Sequence, residues 1–402
     1  MKSFISLEEA IRILNERVVS LDVEQVSLLQ AIGRICHESI YSTIHNPPFD
    51  KSAMDGYAIM ASDTTGQLVE LKVIDEVFAG GHSNKQITSK TAIKIMTGAP
   101  IPKGATAVIK QEEVVIKDDC ILFEKVVKSG ENICPKGEDI TIGTLLVKQG
   151  KCLDYADIGI LASAGIVHIK VHQKPRVAFI STGDEVSELG HPLQVGKIYN
   201  SNKYAILGRV KELGYEVTYI NHENDCVNAI ASKMKKALEV ADVIITTGGA
   251  SVGEKDLIKE AIDELGGQKL FWKILIKPGS ALLCSQYEKK MIISLSGNPT
   301  AALTTFELIA RPTLEKLAGH KTIELKYEQA RLKGEIKKVA TQRRFIRGFV
   351  ELTPDGQVVA VTQQKSGNGI LSSALGSNCL IEIKPNEGPL HEGEWVSIIK
   401  LS

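Results

Sequence analysis

The chain has 402 residues, 43% hydrophobic and 24% charged, with 48 basic side chains matched by 48 acidic ones. That length exceeds one ordinary core and implies several domains. The charge balance gives no pull toward nucleic acid or an anionic membrane, and neither is expected as a partner. Apolar runs such as VAFI at 177–180 and MIISL at 291–295 are strand-sized, so no bilayer span is expected. Glu8, Glu9, Arg12 and Glu16 argue against a signal peptide. Seven scattered cysteines form no C-x-x-C pair, which points to reduced thiols in a cytoplasm, not to a disulfide framework or a zinc site.

In chain order, SLEEAIRIL opens with a capping box, Ser6 accepting from the backbone of Glu9 and Glu9 reaching back. Leu7, Ala10, Ile11 and Leu14 follow at helical spacing. From about 46 to 140, short β-rich runs alternate with Gly-rich turns, which predicts a mostly β domain. It begins with NPPFDKSAMDGYA at 46–58, a stretch that brackets Lys51, Ser52 and Met54 with Asp50 and Asp55. It is too polar for a core element, and holding Phe49, Met54 and Tyr57 together is unusual for a solvated loop. Thr97-Gly98-Ala99-Pro100 is a turn carrying a hydroxyl, Glu112 and Glu113 end a strand, and KGEDI adds Glu138 and Asp139. Taken singly, each of these three also reads as an ordinary solvated turn.

After Pro175, apolar strands (RVAFIST, EVTYI, DVIITT) alternate with amphipathic helices, one of them placing Ile230, Met234 and Leu238 on one face. This alternation predicts a parallel-sheet α/β domain over about 175–320. The last 80 or so residues turn β again, with a hairpin around Pro354-Asp355-Gly356 and later strands suited to a small barrel.

In an open parallel sheet, ligands bind beyond the C-terminal strand ends. Three loops fall there: Ser181-Thr182-Gly183-Asp184-Glu185, the run from Thr247 through Gly248, Gly249, Ser251, Gly253, Glu254 and Lys255 to Asp256, and Ser296-Gly297-Asn298-Pro299. Glycines let backbone N–H groups approach an anion, and a helix N-terminus favours negative charge. Asn298 is placed to cap and Pro299 to start the helix. A tight turn or a plain cap explains any one loop; three on one sheet edge favour one anionic ligand. Asp184, Glu185 and Asp256 would repel a phosphate unless a cation bridges them, and hard oxygen donors with phosphate suggest Mg²⁺. Lys277 ends a strand before Pro-Gly, where a lone lysine is more often solvated, and the two-residue period puts Lys273 on the same face.

Together these motifs closely resemble the molybdopterin molybdenumtransferases of molybdenum-cofactor biosynthesis, which include the E domain of gephyrin. The matching stretches are PPFDKSAMDGYA, MTGAPIPKGATAVIKQEE, KGEDI, STGDEV, NSN at 200–202, TTGGASVGEKD, IKPG, SGNPTAA, RRFIRG and GNGILSS. The resemblance covers nearly the whole chain. It implies a multidomain α+β and α/β fold: a linking N-terminal domain (1–45 with 141–174), the β-rich domain bearing the active-site loop (46–140), an α/β domain of molybdopterin-binding type (175–320) and a C-terminal β-barrel (321–402). It also implies an elongated homodimer with its site in a cleft between subunits. The reaction implied is insertion of molybdate into adenylylated molybdopterin with Mg²⁺-dependent release of AMP, the adenylyltransferase that supplies the substrate being a candidate partner.

Carried over position by position, the resemblance assigns catalytic roles to Asp55, Asp139, Glu185 and Lys277. It assigns metal binding to Asp184, Glu185 and Asp256. Substrate binding falls to Thr97, Glu112, Ser181, Thr182, Gly183, Asp184, Gly248, Gly249, Ser251, Gly253, Gly297, Asn298, Pro299, Arg347 and Ser372. Phe49, Met54 and Tyr57 would hold the 46–58 loop in shape. Four positions depart from the family pattern, Ser280 (usually Lys), Ser296 (usually Pro), Glu254 (usually Asp) and Lys255. All lie on the ligand side of the α/β domain. A carrier or scaffold paralogue without turnover, or one of altered specificity, is the competing reading; a nucleotide pyrophosphatase is a third. The number of intact carboxylates favours an enzyme, since a pure anion binder gains nothing from them.

Overall fold

The computed structural model describes residues 1–190, 192–249, 257–353, 358–362 and 370–401. They form two compact units, one of Gln25–Val171 and one of Met1–Glu24 with His172–Ser402. Among the described residues no helix is long and apolar enough to cross a membrane.

The contiguous unit is built on a six-stranded mixed sheet in the order Ala107–Lys110, Gly56–Ile59, Thr91–Ile95, Val69–Val77, Cys120–Phe123, Val115–Lys117. Side chains alternate between its faces. Tyr57, Ile59, Ile109 and Phe123 enter one apolar cluster, while Ala58, Ile93, Ile95 and Val108 enter another on the opposite side. Gly56 pairs with both Ile95 and Lys110. A Cβ there would lie 1.9 Å from the Ile109 carbonyl oxygen, so only glycine lets these strands approach. A smaller core joins Val26, Cys36, Val147, Leu161 and Val171 around the helix Tyr155–Ser163. That helix is closed by a capping box between Asp154 and Asp157.

The discontinuous unit carries a seven-stranded sheet ordered Lys2–Ile5, Gln268–Ile274, Leu283–Tyr287, Lys290–Leu295, Val243–Thr247, Arg176–Thr182, Glu216–Glu223. The last four are mutually parallel, as the strand–helix alternation requires. Val177 and Phe179 face one helical layer, Ala178 and Ile180 the other. Ile230, Met234 and Leu238 are buried on that second face, as their spacing predicts.

The amino-terminal residues, expected with the linking domain, instead complete this sheet. Lys2–Ile5 adds as a parallel edge strand, Ile5 opposite Ile274, and the helix Leu7–Arg17 buries Leu7, Ala10 and Leu14 in the same core as Phe179 and Phe271. Ser6 caps that helix by accepting from the Glu9 N–H at 3.1 Å. The reciprocal half of the expected box is replaced, because Glu9 turns outward to Lys2 and Arg12.

The carboxy-terminal strands Arg343–Leu352, Val358–Thr362, Tyr327–Lys333, Trp395–Lys400 and Cys379–Ile383 pair in that order and close back on the first, making a five-stranded barrel filled by Leu332, Ala360, Ile381 and Ile398. The expected hairpin is present; its turn at 354–357 lies outside the described residues. Glu307 receives the Arg209 Nε at 2.6 Å and an Arg311 Nη at 3.2 Å, and both arginines also donate to the Leu401 carbonyl beside the last barrel strand.

Candidate functional site

In the contiguous unit, the 46–58 stretch is a loop stitched down on two sides. Lys51–Ser52 pairs with Ile133–Cys134, the Gly137 N–H donates to the Pro47 carbonyl, and the Lys136 N–H donates to Asp50 Oδ1 at 2.7 Å. On the other side Ser52 exchanges backbone bonds with Gly98 and Ala99. Asp55 Oδ1 accepts from both the N–H and the hydroxyl of Thr97, each at 2.7 Å. The Thr97 N–H first, then its hydroxyl, hold the Asp55 carboxyl below the usual aspartate range. The Gln111 N–H reaches the Asp55 carbonyl, so the turn Gln111–Glu113 brings Glu112 beside it. Asp139 is fixed by Asn46, whose side-chain amide donates to Asp139 Oδ2 at 3.2 Å and whose carbonyl accepts the Asp139 N–H.

The loop thus ties Asp55 to Thr97 and sets Glu112 beside it, while Asp139 is held at the loop's other end by Asn46. The expected role of the large side chains is corrected: Tyr57 is buried, but Phe49 and Met54 are exposed, so backbone bonds and not apolar packing set the loop's shape.

In the discontinuous unit, the three candidate loops do meet. Ser181, Thr182, Glu185, Asn200, Asn202, Thr247, Gly248, Gly297 and Pro299 line one cleft past the strand ends. Its cavity of about 60 Å³ holds a few water-sized groups, enough for a phosphate and too small to enclose a nucleotide. Gly248 has φ +90°, and a Cβ on it would lie 2.2 Å from the Thr182 carbonyl oxygen; Gly297 packs beside it, where a Cβ would make only an ordinary contact with the Gly248 Cα at 3.6 Å. Gly183, at φ +132°, leaves room for the Glu185 carboxylate, which would lie 2.7 Å from a Cβ there. Thr182 Oγ1 is buried with no hydrogen-bond partner among the described residues, an unspent donor at the floor of the cleft.

Asn298 stands at the N-cap with Pro299 following, but its side chain makes no capping bond. Ser296 does part of that work, its hydroxyl accepting from the Asn298 N–H at 3.2 Å, which gives the departure at Ser296 a structural use. Asp184 Oδ1 accepts from the Asp225 N–H. Burial, then the charges of Asp184 and Glu185, push the Asp225 carboxyl up. Ser251, Gly253, Glu254, Lys255 and Asp256 lie outside the described residues.

Other candidates sit elsewhere in the same unit. Lys277 is exposed, at the strand Ile276–Lys277 that runs beside Arg343–Arg344. Lys273 does not share its face. Its φ of +62° breaks the two-residue alternation and lays its ammonium over the Trp272 and Phe4 rings at 4.0 and 4.9 Å. Arg347 is only 8% exposed, donates to the Ser377 hydroxyl at 3.3 Å, and keeps a buried Nε without a partner among the described residues. Burial pulls its pKa below the usual arginine value, with Glu307 opposing. Ser372 lies in the turn Leu371–Ala374, adjoining the helix Pro299–Thr305, where Thr300 donates to the Ile370 carbonyl.

Sequence reasoning quoted Asn200 only within the matching stretch NSN and gave it no role, and it singled out neither His222 nor Asp225. Asn200 was legible as an N-cap before an apolar helix, and its Oδ1 does accept from the Lys203 N–H. His222 and Asp225 carried no such mark, because strand register alone sets His222 beside Ser181 and a backbone bond after that strand sets Asp225 beside Asp184.

Comparison with known proteins agrees with this architecture. Residues 5–165 match the family model of the MoeA N-terminal region (domains I and II), 178–316 that of a probable molybdopterin binding domain, and 329–401 that of the MoeA C-terminal region (domain IV). A molybdopterin molybdenumtransferase of Haemophilus influenzae is 37% identical over 93% of both chains. One of Staphylococcus aureus is 33% identical over 98% of this chain and 95% of its own. A crystal structure of a molybdopterin biosynthesis MoeA protein from Pyrococcus horikosii superposes with a TM-score of 0.85 at 34% identity, covering 99% of each chain. With matches of this extent in sequence and in fold, the chain belongs to the molybdopterin molybdenumtransferase family, enzymes of molybdenum-cofactor biosynthesis.

Proposed function

We propose that this enzyme inserts molybdate into the dithiolene of adenylylated molybdopterin and releases AMP in a Mg²⁺-dependent step, acting as a cytoplasmic homodimer whose site lies at the subunit cleft. The observation that carries the reading is the unspent Thr182 hydroxyl beside the left-handed Gly248 turn at the C-terminal ends of parallel strands. It is a place built to donate to an anion.

The donor set fits magnesium. Asp184 and Glu185 are close enough that their charges push Asp225 toward its neutral form, a crowding that a cation would relieve. Among the described residues no three His, Cys, Asp or Glu side chains form a ready cage. Mg²⁺ needs none, since it takes one or two carboxylates together with substrate phosphates and water. Asp184 and Glu185, with Asp256, would hold it, and bound there it would offset charge on the phosphoanhydride.

Thr182 and the backbone at Gly248 would orient the phosphoryl oxygens. Asp55, held ionised by Thr97, would orient water or molybdate, and Lys277 would meet the oxyanion as a point charge. Catalysis is then chiefly positioning and charge stabilisation. The adenylyltransferase that makes the substrate is the expected supplier.

The test is incubation of the purified protein with adenylylated molybdopterin, Mg²⁺ and molybdate while AMP is followed. AMP should appear only with a divalent cation and faster with molybdate. Full-rate release in excess chelator would rule the metal role out, and no release under any condition would favour a carrier.

A further inference from the structure

Ser181 and His222 are register partners on adjacent parallel strands, so their side chains emerge on one face of the sheet. Ser181 is 1% exposed and lines the cleft. A hydroxyl has one proton and two acceptor positions. Asn200 Nδ2 fills one acceptor position at 2.8 Å, and its amide is oriented because Oδ1 accepts from the Lys203 N–H. His222 Nδ1 lies 3.0 Å from the same oxygen. One proton and one acceptor position therefore remain to be divided between His222 and the cleft.

The division depends on the imidazole. With Nδ1 unprotonated, Ser181 gives its proton to His222 and shows the cleft a lone pair, which repels an anion. With Nδ1 protonated, His222 donates, both acceptor positions are filled, and the Ser181 proton must turn to the cleft. We propose that His222 is a positioning residue that directs the Ser181 hydroxyl, making it a donor to the anionic ligand when the imidazole is protonated. This rests on the reading of the cleft as the phosphate end of the substrate site.

Several charges face His222. Glu188 and Asp225 both feel a charge on it. Glu188 is itself bound by Lys203 at 2.7 Å, and Glu223 follows His222 on its own strand. Asp184 and Glu185 act on the same Asp225, while no hydrogen bond among the described residues joins either of them to His222.

The test uses the full chain and ADP-ribose, a pyrophosphate diester whose phosphoryl charges stay constant between about pH 5 and 8, the range in which histidine titrates. Calorimetry should show wild-type affinity rising by about tenfold as pH falls across that range, the gain of one donor to an anion. His222→Gln, whose amide donates at any pH, should bind tightly without pH dependence; His222→Phe should bind weakly without it. Nitrogen NMR of the His222 ring, with the proton on Nε2 when neutral, should change its titration in Ser181→Ala. A flat wild-type profile, an unchanged profile in His222→Phe, or a His222 titration indifferent to Ser181→Ala would overturn the inference. So would absence of ADP-ribose binding in an enzyme that releases AMP. Loss of AMP release with the pH-dependent binding intact would instead overturn the reading of function and support this one.

Discussion

Thr97 donates twice to a single oxygen of Asp55, through its N–H and its hydroxyl, both at 2.7 Å, while the other carboxylate oxygen has no hydrogen bond among the described residues. The carboxylate is therefore aimed and kept ionised with half its acceptor capacity free. Asp55→Asn preserves shape and removes charge. Turnover should fall at least tenfold, about 1.4 kcal/mol of barrier, with little change in Tm. Early unfolding with full activity in the folded remainder would make Asp55 structural.

The same pair sets an acid limit. The folded-state pKa of Asp55 is depressed, so the stability it contributes is present above its unfolded value and lost as pH falls through the folded one. Thr97→Val removes the hydroxyl and keeps the backbone donor. The acid limb of the pH–rate profile should then move to higher pH, by less than it would if both donors were lost; an unmoved limb would show that Asp55 is not the group titrating there.

Gly248→Ala meets two obstacles, a φ of +90° and a Cβ 2.2 Å from the Thr182 carbonyl oxygen. Denaturant titration should show a loss of roughly 1–3 kcal/mol, as expected for a non-glycine residue forced into a strained conformation. The Thr182 hydroxyl would shift with its backbone, so affinity for the anionic ligand should fall as well.

Glu307 is 5% exposed and serves two arginines. Glu307→Ala would leave the partly buried Arg209 and Arg311 without their shared counter-charge. Removing one partner from such a buried network costs about 3–5 kcal/mol. A Tm equal to wild type would mean that their other partners, Glu212, Glu315 and the Leu401 carbonyl, suffice.

Lys277 is exposed, so Lys277→Met should leave Tm unchanged. The molybdate concentration needed for half-maximal rate should rise by about tenfold, the loss of one charge-assisted contact. An unchanged molybdate dependence would return this lysine to the solvated surface.

Much of the frame was legible because its determinants are local. The alternation of Val177 and Phe179 with Ala178 and Ile180 marks a strand covered on both faces, and Asn200 before an apolar period marks a helix start. The Asp55 loop stood out because its composition suited neither core nor solvent. What escaped was decided by register and backbone geometry. No spacing rule pairs Ser181 with His222, which meet only because two parallel strands are aligned. Nothing in KSFI foretells an edge strand, since its partner is Gln268–Ile274. The alternation that placed Lys273 beside Lys277 failed at one left-handed residue.

The edge strand Lys2–Ile5 also orders events during synthesis. Its partner residues Phe271–Ile274 leave the ribosome long after it does, at about 5–20 residues per second and so roughly 15–50 s later. The contiguous unit Gln25–Val171 is translated complete within that interval and can fold first. Meanwhile the apolar face of Leu7–Arg17 waits without its sheet, the period in which a nascent chain of this enzyme most needs a chaperone.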